Sequence, residues 1–324
     1  MKECMQTDKP LVSIVMAIYN PQMDWLIKQL KSLNAQDYKN LELIVLDDCS
    51  PKVTIEELDK CFKEHITSFP YKLYRNEKNL GSTKTFEKLT TMPLGKYISY
   101  CDQDDIWESF KVSESVETIE KNKAILVCSD VTVIDGNDEV TSNSITDIRK
   151  RLVFRSGEGL ARHLLFRNFV TGCTVLMETD MAKQAMPFID GMIHDHWIAL
   201  FASTKGAIAV CDNKVMRYRI HGNNQTSVLA GIKTKKDYYN MRILPYFQQI
   251  NEISNRIKID DILPATLEWA KARVDYYNGE FSSIKTIWKY RNLNKTTSMF
   301  EIALKFMPNL VFNKVLKALQ KGVI

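Results

Sequence analysis

What the 324-residue sequence lacks narrows its class before any motif is considered. No uninterrupted apolar run approaches the roughly 18 residues of a membrane span, and the opening MKECMQTDKP has no apolar signal-peptide core. The chain therefore reads as neither transmembrane nor secreted. Its seven cysteines (Cys4, Cys49, Cys61, Cys101, Cys128, Cys173, Cys211) form no C-x-x-C pair and sit mostly in apolar runs, as buried thiols of a reducing compartment do. A cytoplasmic protein is expected. Neither G-x-G-x-x-G nor G-x-x-x-x-G-K-[ST] follows any apolar run, so the phosphate-cradling loops of dinucleotide-binding and P-loop proteins are missing. A phosphate held by this chain must be neutralised in another way. Acids are scarce at one end: residues 282–324 carry eight Lys or Arg against the single acid Glu301, although the formal charge of the whole chain is only +5. The basicity belongs to a terminal segment, and the body lacks the Arg- and aromatic-studded character of a nucleic-acid-binding domain.

Short β-rich runs at 11–19 (LVSIVMAIY), 41–46 (LELIVL), 71–75 (YKLYR), 96–101 (KYISYC) and 124–130 (AILVCSD) alternate with helically spaced stretches at 24–36, 55–66, 82–91 and 108–121. This rhythm predicts an α/β domain with a mixed, mostly parallel sheet flanked by helices. Ligands of such sheets bind beyond the carboxyl ends of the strands. That rule picks out Tyr19, Asn20 and Pro21, then Asp47, Asp48, Cys49 and Ser50, then the acids in CDQDDIW at 101–107. In the last of these, Asp102, Asp104 and Asp105 crowd like charges into four positions. A solvated turn has this composition, and so does a site for Mg2+ or Mn2+, which take one or two carboxylates together with phosphate oxygens. The residues alone leave both readings open. A sugar nucleotidyltransferase would also use acids and Mg2+, but it wants a Gly- and Lys/Arg-rich loop after the first strand, where this chain has AIYNPQMDW. A noncatalytic sugar-nucleotide-binding subunit is the alternative outside enzymes.

In order along the chain, VSIVMAIYN, LELIVLDDCS, KNLGS, GKYISYCDQDDIW, NFVTGC, HDHW and RYRIHGNN resemble the markers of family 2 glycosyltransferases with the GT-A fold, over roughly residues 10–228. The DQDDIW and HDHW forms look like the branch of bacterial rhamnosyltransferases and related cell-surface polysaccharide enzymes. The resemblance implies a nucleoside diphosphate sugar donor, TDP-rhamnose or a UDP-hexose, and inverting transfer to a glycan or lipid-linked saccharide. It also implies Mn2+ or Mg2+ as cofactor. Residue by residue, it puts Ala17, Tyr19 and Asp48 around a uracil or thymine and Gly81 and Gly172 on the donor side. Asp102 falls near the ribose or a metal-bound water, Asp104 and His221 on the metal, and Asp105 in either role. Asp195 in HDHW matches the catalytic base. Ala17 stands where many relatives carry a hydroxyl, and His194 replaces a Glu that orients the acceptor. Arg75 and Lys84 are secondary candidates for the diphosphate. Plain structural readings stand beside these: the Asp47-Asp48 run as a cap for the helix near residue 55, Gly81 and Gly172 as turn formers, Asp195 as the N-cap of HWIALFAST, and His221 as a surface residue after a β-like stretch.

From about residue 229 the pattern is helical, with Pro245, Pro264 and Pro308 marking starts or kinks. The expected division is a catalytic domain at 1–228 and a helical region at 229–324. In the last segment Phe300, Leu304, Met307, Val311, Val315 and Leu319 form one stripe, flanked by Lys305, Lys314, Lys317 and Lys321. The stripe predicts contact with an anionic membrane surface, at the inner face of the plasma membrane, or packing on the main domain or a second subunit.

Overall fold

The computed structural model of the protein describes residues 9–221 and 231–320, with side chains described up to residue 316. Contacts divide the chain into one unit of Met1–Phe188 with Met192–His221 and another of Ile189–Gly191 with Gly222–Ile324.

The first unit opens with β1 (Val12–Ile18), α1 (Met23–Asn34), β2 (Leu41–Asp47), α2 (Ile55–His65), β3 (Tyr71–Arg75), α3 (Ser82–Thr90) and β4 (Tyr97–Cys101). These follow the rhythm read from the sequence, each within a few residues of its expected bounds. After them come β5 (Ile106–Trp107), α4 (Lys111–Lys121), β6 (Leu126–Cys128), β7 (Thr132–Ile134), β8 (Val140–Ser142), α5 (Ile145–Ile148) and α6 (Ala161–Leu164). The unit closes with β9 (Leu176–Glu178), α7 (Thr179–Gln184), α8 (His194–Ser203), β10 (Ile208–Val210) and β11 (Met216–Arg219).

Seven strands form the main sheet in the order β10-β6-β9-β4-β1-β2-β3. All neighbours run parallel except β9, which is antiparallel to both β4 and β6. Every residue of β2 is buried and all but one of β1, because helices cover both faces and leave no place for a polar alternation. Leu26, Leu30 and Leu33 of α1 and Leu58 and Phe62 of α2 pack with Val12, Ile14 and Met16 in one core. Each such side chain contributes about 1.5–3 kcal/mol through burial. The start of α2 is fixed by Thr54 and Glu57, whose side chains each bond the other's backbone N–H, so neither Asp47 nor Asp48 caps it.

A second sheet, β5-β11-β7-β8, has strands of only two to four residues and no readable alternation. Its β5 and β11 pair antiparallel, with Trp107 opposite Met216 and Ile106 opposite Arg217. This ladder carries the acids of residues 102–105 to the segment that ends at His221.

The second unit is helical among the described residues. Pro245 follows a wide π turn at Tyr239–Ile243, which absorbs the missing N–H and the ring's crowding of the preceding turn. Pro264 lies in the first turn of the helix Ile262–Asn278, and Gly279, at φ 117°, ends it. Pro308 separates Lys295–Leu304 from Asn309–Gln320, so the last apolar segment is two helices. The stripe read from the sequence is only partly covered: Leu304 is buried with Phe312 and Leu316, and Phe300 and Met307 pack against them, while Val311 stays 44% exposed. The side chains of Lys317 and Leu319, and all of Lys321, lie outside the described residues, as do Cys4 and Gly222 to Asn224. Among the described residues Cys49, Cys61, Cys101, Cys128, Cys173 and Cys211 are free thiols, and no helix is long and apolar enough to cross a membrane.

Candidate active site

The carboxyl ends of β1 and β2 are tied into one edge. Asp48 N–H donates to the Ile18 carbonyl at 2.7 Å, and Asn20 N–H to Ser50 Oγ at 2.8 Å. Asn20 (φ 44°) and Cys49 (φ 62°) both hold the left-handed conformation that non-glycine residues rarely adopt, so the chain turns sharply beyond each strand. Ala17 sits one residue before the end of β1, in register with Leu46 of β2.

Asp47 accepts from Ser50 and from the Arg75 guanidinium, which also donates to the carbonyls of Ser50 (2.8 Å) and Val53 (2.6 Å). Arg75 thus pins the β2 turn and is not directed to a diphosphate. Lys84 lies 3.5 Å from Glu87. Asp48 is 3% exposed and accepts from Asn76 Nδ2, Leu80 N–H and Gly81 N–H, each at 2.8 Å. The carboxylate therefore shapes the 76–81 turn. That turn needs glycine at 81, where φ is 80°, before α3 begins.

The acidic loop after β4 is anchored on both sides. Gln103 binds the backbone of Tyr19 twice, accepting its N–H at 2.8 Å and donating to its carbonyl at 3.1 Å. The side chain of Tyr19 remains 45% exposed. From the other side, Arg219 N–H donates to Asp105 Oδ1 at 2.8 Å and its buried guanidinium donates to the Asp104 carbonyl at 2.7 Å. The same guanidinium reaches the Asp135 carbonyl and Asp138, and stands over the Trp25 ring at 5.1 Å. Sequence reasoning passed over Gln103 and Arg219, whose partners are 84 and 114 residues away.

Asp104 and His221 meet: Nε2 lies 2.8 Å from Oδ2, and the His221 ring packs at 5.0 Å from Trp25. Asp105 turns inward and is 1% exposed. Burial, then the charges of Asp104 and Asp102, push its carboxyl well above the ordinary range. Burial first, then Asp104 and Asp195, raise Asp102 to about 7. Asp102, Asp105 and Cys173 also bring ligand atoms within 4.8 Å of one another.

Which of these donors fits a divalent cation follows from their chemistry. Burial and the nearby acids hold the Cys173 thiol well above its usual range, so it stays protonated and ligates poorly. Asp104 and His221 offer oxygen and imidazole nitrogen, which suit Mn2+. Two adjacent ligands of an octahedral ion lie about 3 Å apart. The 2.8 Å separation is already that of such a pair.

Asp195 occupies the first turn of α8, whose N-cap is Ile193, so it is not the cap the pattern allowed. Its oxygens accept from Asn168 Nδ2 at 3.0 Å and Gly172 N–H at 2.9 Å. Burial lifts its pKa to about 6; bonds from the backbones of Gly172 and His196, the charge of Arg149 and the bond from Asn168 restrain the rise. Asn168 and Arg149 were not singled out in the sequence, since nothing local marks an Asn 27 residues upstream as a partner. His194 stacks on Phe86 at 4.2 Å, and burial lowers its pKa to about 3, so it is a neutral ring beside the carboxylate.

Gly172 opens a 3-10 turn at Gly172–Thr174, and its missing side chain is what lets α8 approach. A Cβ there would stand 2.8 Å from His194 Nε2 and 3.3 Å from Asp195 Cβ. Gly172→Ala is expected to cost about 1–3 kcal/mol by overpacking and to displace Asp195. Urea unfolding together with a transfer assay checks both effects.

A family model described as Glycosyl transferase family 2 matches residues 13–181, over half of the chain. The chain belongs to glycosyl transferase family 2. The match spans the acidic loop and Gly172 but ends before Asp195 and His221. This glycosyltransferase is 26% identical over 294 residues to the dTDP-rhamnosyl transferase RfbG of Shigella flexneri, covering 85% of this chain and 94% of that protein. Among solved structures, S. aureus TarS 1-349 in complex with UDP-GlcNAc superposes with TM-score 0.63 at 14% identity, over 96% of this chain and 92% of that one. The mannosyltransferase PcManGT from Pyrobaculum calidifontis, in complex with GDP-Man and Mn2+, gives TM-score 0.54 at 14% identity, over 98% and 87%. The family 2 glycosyltransferase thus has the GT-A fold expected from its motifs.

Proposed function

We propose that this glycosyltransferase moves a sugar from a nucleoside diphosphate donor to a hydroxyl of a polysaccharide or lipid-linked saccharide, inverting the anomeric carbon in one displacement. One observation carries the reading. The acidic loop and Asp195 belong to a single chain of neighbours, in which the ligand atoms of Asp102 and Cys173 lie within 4.8 Å of one another and the adjoining Gly172 N–H donates to Asp195. Two acids 93 positions apart in the sequence thereby border one site.

A divalent cation held by Asp104 and His221 would act as a Lewis acid on the departing diphosphate. The chain's own groups do the rest. Gln103 fixes the acidic loop against β1, where Tyr19 and the Ala17 backbone border the base of the nucleotide, with Asp48 and Gly81 shaping the adjoining turn. Asp195, oriented by two N–H donors, takes the proton of the incoming hydroxyl. Its pKa is raised only to about 6, so Asp195, beside the neutral His194 ring, is mostly ionised at neutral pH.

The likeness to the dTDP-rhamnosyl transferase RfbG supports TDP-rhamnose as donor, and the likeness to TarS in complex with UDP-GlcNAc supports a UDP-sugar. Free buried thiols suit a cytoplasmic enzyme working beside the inner face of the plasma membrane. The test is a panel of UDP-, TDP- and GDP-sugars, scored for Mn2+-dependent hydrolysis and for protection against heat. A TDP- or UDP-sugar is expected to do both. If no nucleotide sugar protects the chain in the presence of metal, the donor assignment fails.

A further inference from the structure

Part of the stripe that the sequence offered to a membrane packs inside the second unit, yet that unit exposes other large apolar side chains. Phe306 is 71% exposed, Leu310 78%, Phe281 56% and Trp288 51%. They are not scattered. The Phe281 and Phe306 rings lie 6.5 Å apart, and Leu310 lies at the start of the next helix four residues after Phe306, beyond the break at Pro308. Phe281 opens a 3-10 turn that runs directly into the helix Ile284–Lys289. Residues four and seven positions on share its side of that helix, which adds Lys285 and Trp288. Ile287 on the opposite side is fully buried against Trp269 and Tyr276, so the outer face is not needed by the core.

Cations cover these rings. Lys305 Nζ stands 4.7 Å from the Phe281 centroid, and the Arg291 guanidinium 4.6 Å from Trp288. Lys285, Lys289 and Lys314 are exposed nearby in the sequence. Of the acids that would offset them, Glu301 is buried in a bidentate pair with Arg273, and Glu268 is engaged by Tyr290 and Lys289. Glu280 is exposed beside Phe281, and Glu268, though engaged, is 58% exposed.

We propose that this face of the second unit docks on an anionic lipid surface. Protein interfaces deplete Lys at their centres. Membrane interfaces instead combine aromatic rings with long cationic side chains that keep their charge at the headgroups. The pattern here is the latter. The inference is independent of the transferase reading, because vesicle binding is measured without donor or acceptor.

The test uses the full chain with vesicles of phosphatidylglycerol and phosphatidylethanolamine, and with phosphatidylcholine vesicles as the neutral control. The wild-type chain is expected to float with the anionic vesicles and not with the neutral ones. Each basic residue at such a surface is worth about fivefold in binding, so Lys285→Gln with Arg291→Gln lowers the partition on the order of 30-fold. Phe306→Ser with Leu310→Ser lowers it too, although the charge is unchanged. Donor hydrolysis in solution stays at the wild-type level for both pairs. The proposal is overturned if the wild-type chain ignores anionic vesicles, or if the Phe306 and Leu310 changes leave vesicle binding intact. It is likewise overturned if light scattering shows a wild-type dimer that these serines convert to monomer, since the face is then a subunit interface.

Discussion

Asp195→Asn lowers sugar transfer about a thousandfold, within the roughly 10²–10⁴ that a positioned general base supplies, while donor hydrolysis-independent binding persists. The amide keeps the outline of the carboxylate but cannot take a proton. Its cost to the fold is limited yet real: Gly172 N–H and Asn168 Nδ2 both donate to Asp195, so one of them meets an amide NH2 in the variant. That mismatch is worth about 1–3 kcal/mol, and thermal protection by the donor separates it from the chemical effect. In the parent enzyme the rate follows the ionised carboxylate. Burial has raised the pKa to about 6, so transfer climbs as pH rises through 6 and levels off above it. The variant loses that limb. If Asp195→Asn keeps more than about a tenth of the activity, or the limb survives, the residue only serves the first turn of α8.

Asp104→Asn abolishes stimulation by Mn2+ and lowers transfer by a similar factor, because a Lewis acid at a leaving diphosphate contributes several kcal/mol. Here the fold is expected to be unharmed. Asp104 is among the charges that raise the carboxyls of Asp102 and Asp105, so removing it relieves repulsion in the apo protein. The amide oxygen can still accept from His221 Nε2, which lies 2.8 Å from the carboxylate now. Urea unfolding in the presence of a chelator therefore gives a midpoint at or above that of the parent, and a manganese titration shows no saturable activation. Retained activation would move the cation away from Asp104, towards the group formed by Asp102, Asp105 and Cys173.

The extent to which each feature was legible depended on how local its cause is. The four alternating strands and helices up to β4 follow from apolar periodicity within windows of a dozen residues, and the structure places them as read. The acidic cluster was conspicuous because its charges adjoin in the chain. By contrast, β5 has two residues and β11 four, too short for any alternation to register. Their pairing is what joins Asp104 to His221 across 117 residues. Arg75 looked like a free cation on the donor side, and only the folded β2 turn shows three acceptors around it. The terminal stripe was visible as amphipathic, but periodicity reports that a helix has an apolar face and not what covers it.

The sequence by itself therefore determined the alternation of strand and helix, the place of the acids at strand ends and the basic character of the last forty or so residues. Each of these is set by side chains close together along the chain. Tertiary structure decided which acids lie near one another, that Gly172 admits α8 and Asp195, and which apolar side chains of the second unit remain outside. Those outcomes rest on contacts between segments far apart in sequence, where geometry and burial choose among partners that composition leaves equal.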